Sequence, residues 1–409
     1  MEKLKFGRYD FACLAAFIGY ALCSLSIPIS LVAMGKDLNF PLDNGGMAAG
    51  GVLHLTRSIA IVTALMICGL IAGRIGKRKS MGLCVLLMGG GILLCSIAPN
   101  YWFVLPFLLI AGFGEGICEG IATPFVQDLH SDAPERYVNI AHSYWSIGIG
   151  VCVLGAGGLL TLGVSWRIVL ALAGILTMLG APLFLWRENP LKKYPEIPTA
   201  SNLPEIWRLS KLIWAAPRFR LHCLAMFMGA GAEYCLTFWS AAYLQLTFQA
   251  SAWVAGLGTA AIGLGMFLGR TFFGIIARED NLKRNLIWAA SGTIPLILVL
   301  AFVTPELIGS KVLLFILILT VLVFCGIGIA PFWPTLQVYS VKQMPELDST
   351  LMYIYLSAMG IPGCGVFTWI IGVLGDFFGL QGAFFLLPVT LVFYILILIF
   401  DGWKYRKQT

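Results

Sequence analysis

Charged residues are scarce in this sequence, where Asp, Glu, Lys and Arg make up only 11% of the 409 residues. Soluble domains carry about 25% charged residues, so this composition excludes a soluble enzyme or binding domain of the same length. Intrinsic disorder is excluded as well, because 59% of the residues are hydrophobic. We therefore expect a protein that is not an enzyme and that lies almost entirely within a membrane.

The motifs that hold cofactors are also missing. No Gly-x-x-x-x-Gly-Lys-Ser/Thr sequence occurs, which argues against nucleotide binding. The four histidines lack the spacing of metal ligands, and none of the eleven cysteines belongs to a Cys-x-x-Cys pair. We expect no cofactor, no metal and no disulfide framework, and we interpret the cysteines as small buried hydrophobic residues.

Long apolar runs fill most of the chain. A helix that spans a membrane needs about 20 apolar residues, and a reading of apolar windows finds twelve such segments. They predict an all-α polytopic membrane protein with twelve transmembrane helices. The segments are 11–34, 46–73, 80–98, 101–129, 137–163, 166–186, 219–248, 252–277, 285–303, 312–341, 348–378 and 381–400.

A polar stretch and an internal repeat divide the chain into halves. The stretch 187–218 is rich in proline and basic residues, and Cys13-Leu-Ala-Ala-Phe-Ile-Gly19 reappears as Cys223-Leu-Ala-Met-Phe-Met-Gly229. Because six helices separate the two copies, both have the same membrane orientation, which is a parallel repeat. We expect a 6+6 pseudo-repeat, with six-helix bundles at 1–186 and 219–409 and a linker at 187–218.

The distribution of Lys and Arg predicts the orientation. Of the 27 basic residues, 22 lie on the side of the N-terminus, three (Lys36, Arg167 and Lys311) on the opposite side, and two within spans. The positive-inside rule then places both termini in the cytoplasm, and we expect a bacterial inner membrane protein. The net charge of +7 is thus an orientation signal and not a nucleic-acid footprint.

The loop after the second segment carries a family motif. Its sequence, Gly69-Leu-Ile-Ala-Gly-Arg-Ile-Gly-Lys-Arg-Lys79, resembles the major facilitator signature Gly-x-Leu-x-Asp-Arg-x-Gly-Arg-Arg. The resemblance implies the major facilitator fold and secondary transport by alternating access. Gly73 stands where the signature has Asp, so we expect the usual charge contact at the cytoplasmic side to be weakened or supplied otherwise.

Two acids and an arginine lie deep inside apolar segments. Glu115 and Glu119 are four residues apart and share one helix face. Acids at membrane depth are costly and are therefore functional candidates. A rise of about 1.5 Å per residue places Arg57 about 24 Å and Glu115 about 21 Å from the cytoplasmic helix ends, so the two can pair. Alternatively, Arg57 contacts an anionic substrate.

Residues of segments four and five resemble a particular branch of this superfamily. Glu119-Gly-Ile-Ala-Thr-Pro-Phe125 and the polar residues after Tyr137 are similar to the fucose-permease branch of sugar:proton symporters, which carries Glu-x-x-x-Asn-Pro-Phe. The resemblance implies that Glu119 carries the coupling proton and that Asn139 and His142 contact substrate. Thr123 replaces the motif's Asn, and segment one lacks the acid of the fucose permease, so a fucose substrate does not follow.

Two ionisable residues of the second half complete the set. Glu233 is the only acid within segment seven, and it either replaces the acid missing from segment one or makes a structural hydrogen bond. Glu115 and Glu233 are therefore further candidates for proton coupling. Arg270 lies near a helix end, where we expect it to extend to the interface without a substrate role.

Aromatic residues near these acids suggest the solute. Sugars present apolar C–H faces rimmed by hydroxyl groups, which suit aromatic planes and polar side chains. The alternative for each aromatic residue is helix packing or a place in the membrane-interface belt. The predicted substrate contacts are Arg57, Asn139, His142, Trp145, Tyr234, Trp239, Trp333 and Gln337.

These observations predict a secondary active transporter, a proton-coupled symporter of a sugar or similar polar solute. Two alternatives stay open, namely an organic-anion transporter that uses Arg57 for a carboxylate or sugar acid, and a proton-driven multidrug exporter. The expected partners are a small-molecule substrate, protons and the lipid bilayer, with no nucleic acid. We expect a monomer.

Overall fold

The computed structural model describes residues 6–130, 134–187, 193–196, 203–276 and 281–405, and within these ranges it contains helices and no strand. Twelve of its helical segments are long and apolar enough to cross a membrane. The predicted fold class is therefore confirmed. The helices are α1 (Arg8–Asp37), α2 (Met47–Ile75), α3 (Lys77–Ser96), α4 (Tyr101–Leu129), α5 (Pro134–Thr161), α6 (Trp166–Met178), α7 (Ala181–Leu185), α8 (Leu203–Ala215), α9 (Pro217–Phe248), α10 (Ala252–Ile276), α11 (Leu282–Phe302), α12 (Lys311–Ile329), α13 (Pro334–Gln343), α14 (Ser349–Ala383) and α15 (Leu386–Lys404).

Two predicted segments are each built from two helices. Segment 312–341 divides into α12 and α13, and Pro334 is the first residue of α13. Proline has no amide hydrogen to bond the carbonyl four residues back, so a helix starts at it more readily than it continues through it. Segment 166–186 divides into α6 and α7, again with a proline, Pro182, at the start of the second helix. Apolar windows miss both breaks because hydropathy does not report backbone hydrogen bonding.

The chain forms two compact units. Unit 1 consists of Met1–Ala33 and Thr56–Ser201, and unit 2 consists of Met34–Leu55 and Asn202–Thr409. Helix α2 therefore contributes its first residues to unit 2 and the remainder to unit 1.

In unit 1, α2 and α4 approach closely at two glycines of α4. A Cβ atom added at Gly112 would lie 2.5 Å from the Arg57 carbonyl oxygen, and one at Gly116 would lie 2.2 Å from the Ile61 carbonyl oxygen. A larger residue at either position would force the two helices apart. This close approach holds the side chain of Arg57 beside Glu115, as described below.

Helix α9 forms the centre of unit 2 and packs against α14, α10 and α15. Its large side chains Trp239 and Tyr243 are fully buried. Their polar atoms are satisfied inside the unit, since the Trp239 indole N–H donates to the Thr368 carbonyl at 3.1 Å and the Tyr243 hydroxyl donates to the Leu300 carbonyl at 2.6 Å. These aromatic residues thus act as packing residues of the core.

Unit 2 also contains a buried charge cluster where α9, α13 and α15 meet. Asp401 is 0% exposed. Its carboxylate accepts hydrogen bonds from Arg218 Nε at 2.8 Å, His222 Nε2 at 3.1 Å and the Tyr339 hydroxyl at 2.5 Å. Buried charges are stable only when they are paired and hydrogen-bonded in this way.

The start of α2 is capped by a residue that is distant in sequence. The Asp376 carboxylate of α14 accepts hydrogen bonds from the first two amides of α2, Met47 N at 2.7 Å and Ala48 N at 2.9 Å. These amides have no partner within their own helix, and a negative charge at a helix N-terminus interacts favourably with the helix dipole. Asp376 therefore fastens the segment 34–55 to the rest of unit 2.

We expect Asp376→Ala to lower the free energy of unfolding by about 1–2 kcal/mol, the usual cost of losing a capping side chain. Thermal unfolding in detergent measures this change. Asp348→Ala is the matched control, because Asp348 caps only its own helix, through the Leu351 amide at 2.8 Å. Maleimide labelling of a cysteine placed at the buried Leu42 should become faster with Asp376→Ala and not with the control. Equal labelling in both backgrounds would contradict the fastening role.

The described residues of the predicted linker form a helix and make specific contacts. They include helix α8, which the sequence did not predict, and residues 193–196, which belong to unit 1. The Tyr194 ring stacks on Phe125 with ring centroids 4.4 Å apart, and its hydroxyl donates to Asp128 at 2.8 Å. Burial and the neighbouring Asp128 carboxylate raise the pKa of Tyr194, so this tyrosine stays protonated and keeps donating.

The signature loop receives its carboxylate contacts from outside the motif. Lys77 Nζ pairs with Asp128 at 2.6 Å, and the Lys77 amide donates to Glu196 of the linker. Gly73, where the signature has Asp, contributes no side chain. The expectation that a charge contact is supplied otherwise thus agrees with the positions of Asp128 and Glu196.

All eleven cysteines are buried and none is paired in a disulfide. This confirms their interpretation as small hydrophobic residues of the core.

Candidate functional site

One face of α4 carries a polar stripe in unit 1. Glu115, Glu119 and Thr123 are four residues apart, so they follow one another along the same side of the helix. Glu115 is fully buried, whereas Glu119 and Thr123 are half-buried. The stripe therefore passes from a dry interior position to positions with access to water or a solute.

The buried end of the stripe is an ion pair. Arg57 on α2 approaches Glu115 Oε2 with both Nε and Nη2 at 2.7 Å, and its Nη1 donates to the Ser24 carbonyl at 3.0 Å. Arg57 is 3% exposed and Glu115 is 0% exposed. The similar depths estimated from the sequence allowed this pair, and a contact of Arg57 with an anionic substrate was the alternative. Because the two charges are matched inside the unit, the pair has no net charge to offer a solute.

Glu119 lies one turn along the stripe from this pair. Because the two acids are one turn apart on the same helix face, their carboxylates repel each other when both are charged.

The exposed end of the stripe meets α5. Thr123 Oγ1 lies 3.0 Å from His142 Nε2, and the His142 ring lies 4.6 Å from the ring of Phe17. The His142 side chain is exposed and Trp145 is half-buried. Asn139 belongs to the same helix, but its side chain lies outside the described part of the structure. Thr123 and His142 thus form a polar pair beside an aromatic ring.

In unit 2, the acid of α9 has an unexpected neighbour. Arg270 Nη2 lies 3.6 Å from Glu233 Oε1. The sequence predicted that Arg270 would extend to the interface without a substrate role, and it did not predict this approach to Glu233, which arises because α10 packs directly on α9. The other carboxylate oxygen of Glu233 and the hydroxyl of Tyr394 are buried and have no hydrogen-bond partner among the described residues. Glu233 is only 8% exposed.

Other predicted contacts lie in two further places in unit 2. Tyr234 stacks on His54 with ring centroids 4.0 Å apart. Gln337 Nε2 donates to Ser357 Oγ at 3.0 Å. The ring of Trp333 packs closely on Gly360, since a Cβ atom added at this glycine would lie 2.9 Å from the ring. His54 is the residue here that the sequence did not single out, since an isolated histidine in an apolar segment gives no signal.

Trp239 does not join these residues. It is 0% exposed and its indole N–H is already bonded to a carbonyl. We therefore leave it out of the proposed binding residues. Among the residues that the structure describes, no group of three or more His, Cys, Asp or Glu is arranged to hold a metal ion.

Twelve helices long and apolar enough to cross a membrane, together with buried ion pairs and a half-buried polar stripe, define an integral membrane protein. The sequence model of the Major Facilitator Superfamily matches residues 12–366, so the chain belongs to this superfamily. Its relatives and its fold are those of transporters, which are not enzymes.

Individual proteins resemble this chain in sequence or in fold. The chain is 26% identical over 312 residues to a "Putative metabolite transport protein" of Haemophilus influenzae, across 72% of this chain and 73% of the relative. Solved structures with the same fold include a bacterial homologue of the human lysosomal transporter Spinster, with a TM-score of 0.72, 16% identity and coverage of 99% of both chains. The D-xylose–proton symporter has a TM-score of 0.74, 14% identity and coverage of 97% of both chains. The nucleoside transporter NupG has a TM-score of 0.72, 14% identity and coverage of 98% of this chain and 99% of its own.

Proposed function

We propose that this protein is a proton-coupled symporter of a sugar or a similarly polar, uncharged small solute, working by alternating access. The observation that carries the proposal is the division of the α4 stripe. Arg57 and Glu115 neutralise each other in the dry interior, while Glu119 and the Thr123–His142 pair remain at half-buried or exposed positions. A neutral solute with hydroxyl groups suits this arrangement better than an anion, because Arg57, the buried cation beside the stripe, is already paired with Glu115.

Each residue then has a role in the proposal. Glu119 takes up and releases the coupling proton. Thr123, His142, Asn139 and Trp145 contact the solute in unit 1. In unit 2 the solute contacts are Tyr234, Trp333 and Gln337, and Glu233 is the second candidate for proton coupling.

The relatives support a polar solute without naming it. The similar solved structures include a D-xylose–proton symporter and a nucleoside transporter, and the curated relative is described as a metabolite transport protein. The likeness of α4 and α5 to the fucose-permease branch supports the same class.

We further propose a monomer in a bacterial inner membrane, with bundles at 1–186 and 219–409 and a linker at 187–218. Both termini lie in the cytoplasm in this proposal, since most Lys and Arg lie on that side.

Uptake into proteoliposomes tests the proposal. The panel contains labelled neutral sugars and nucleosides, sugar acids and lipophilic cations, each measured with a proton gradient, with a sodium gradient and with a protonophore. We expect a neutral polar solute to accumulate only with the proton gradient and the protonophore to abolish this accumulation. Accumulation of a sugar acid alone would support the anion alternative and overturn the proposal, and export of lipophilic cations alone would support the exporter.

A further inference from the structure

A surface groove in unit 2 lies between the start of α9 and the end of α15. It has a volume of about 340 Å³ and is lined by Pro217, Arg220, Leu221, Leu224, Phe400, Lys404 and Tyr405. None of these residues belongs to the proposed transport site. The groove therefore needs an explanation of its own.

The groove has a cationic rim and an apolar floor. On α9, Arg220 precedes Leu224 by one turn, and on α15 Lys404 follows Phe400 by one turn. Arg220 lies near the start of α9 and Lys404 at the end of α15, so both cations lie at helix ends. Leu224 and Phe400 lie about one turn, roughly 5 Å, further into the two helices. Leu224 is 44% and Phe400 is 43% exposed, so the floor opens to the surroundings of the helices.

The rim cations are not neutralised by a nearby acid. Asp401 is the carboxylate next to them in α15, but it is fully buried and bound to Arg218, His222 and Tyr339. Among the described side chains, no carboxylate pairs with Arg220 or Lys404. The Lys404 ammonium lies 5.5 Å from the centre of the Phe400 ring and 5.6 Å from that of Tyr405, which keeps it at the rim.

We propose that this groove binds one anionic phospholipid. The headgroup phosphate contacts Arg220 and Lys404, and an acyl chain lies on Leu221, Leu224 and Phe400. Basic pockets between transmembrane helices attract anionic headgroups in this way. A zwitterionic lipid fits less well, because its ammonium group would meet two cations and no acid.

Lipid titration of the full-length protein tests the proposal by native mass spectrometry. The probes are dioleoyl phosphatidylglycerol and dioleoyl phosphatidylcholine, which carry the same acyl chains. We expect phosphatidylglycerol to bind roughly 25-fold more tightly, since each of the two basic side chains near an anionic headgroup contributes about a fivefold preference. Arg220→Gln/Lys404→Gln should reduce the affinity for phosphatidylglycerol to that for phosphatidylcholine.

The controls separate this groove from general surface charge. Lys79→Gln/Arg284→Gln removes two other exposed cations and should leave the preference within about twofold of the native value. Arg220→Lys/Lys404→Arg keeps the charges and should keep the preference, which ties the loss with glutamine to the missing charges. The proposal is overturned if both glutamine double variants lose the preference equally or if neither does. It is also overturned if excess inorganic phosphate displaces the lipid, since the groove would then be a phosphate site.

Discussion

The Glu119→Gln protein should exchange substrate across a membrane but should not accumulate it against a gradient. Glutamine imitates the protonated carboxyl group in shape and hydrogen bonding, so the loaded transporter can still change its accessible side. It cannot release a proton and return empty, and therefore the proton gradient no longer drives uptake. The expected loss of gradient-driven uptake is nearly complete, while counterflow stays within about twofold of the native rate.

The measurement is paired, with gradient-driven uptake and substrate counterflow recorded in the same vesicles. Glu233→Gln tests the second candidate in the same assay, because Glu233 is also a buried acid but lies in unit 2 beside Arg270. We expect Glu233→Gln to retain proton-driven accumulation. Normal accumulation by Glu119→Gln would refute the assignment and move the coupling role to Glu233 or Glu115.

The second large effect concerns the Arg57–Glu115 pair. Arg57→Gln alone leaves the Glu115 carboxylate at 0% exposure without its cation. Removing one partner of a buried pair costs about 3–5 kcal/mol, because the other charge is stranded. We expect a large fall in the midpoint of thermal unfolding and loss of transport. Arg57→Gln/Glu115→Gln removes both charges and should restore most of the stability and substantial transport.

Arg57→Lys provides the matched control for geometry. A lysine keeps the charge but has one nitrogen, whereas the guanidinium reaches both Glu115 and the Ser24 carbonyl. We expect its stability to lie between those of the native protein and Arg57→Gln. A double glutamine variant that is stable, yet binds no substrate in an equilibrium assay, would show instead that Arg57 contacts the solute and would support the anion alternative.

The number and approximate ends of the spans could be predicted because a membrane acts on each helix separately. A helix in lipid must be apolar over about 20 residues whatever its neighbours are, so hydropathy alone locates it. The breaks at Pro334 and Pro182 were not predicted, because proline is tolerated inside membrane helices as well as at their ends. Here α4 continues through Pro106 and Pro124, while α13 begins at Pro334. The outcome depends on neighbouring packing, which the apolar pattern does not record.

The ion pairs Arg57–Glu115 and Arg270–Glu233 show the same limit of prediction from the sequence. The similar depths of Arg57 and Glu115 along α2 and α4 left a pair as one of two alternatives, and the structure joins the two side chains. Glu233 lies about 24 Å from the start of α9 and Arg270 about 9 Å from the end of α10, so depth alone did not pair them. Their approach depends on the long arginine side chain and on the direct contact of α10 with α9. Trp239 was placed in the site by its residue type, and the packing of α9 against α14 buried it.

The sequence by itself determined the membrane class, the twelve spans and the helix face that carries Glu115, Glu119 and Thr123, because these follow from local hydropathy and helical periodicity. Only the tertiary structure decided which polar groups meet. It paired Arg270 with Glu233, capped α2 with Asp376 and set Arg220 and Lys404 around one groove. Each of these contacts joins residues of different helices, and their distances depend on how the helices pack, which hydropathy and helical periodicity do not record.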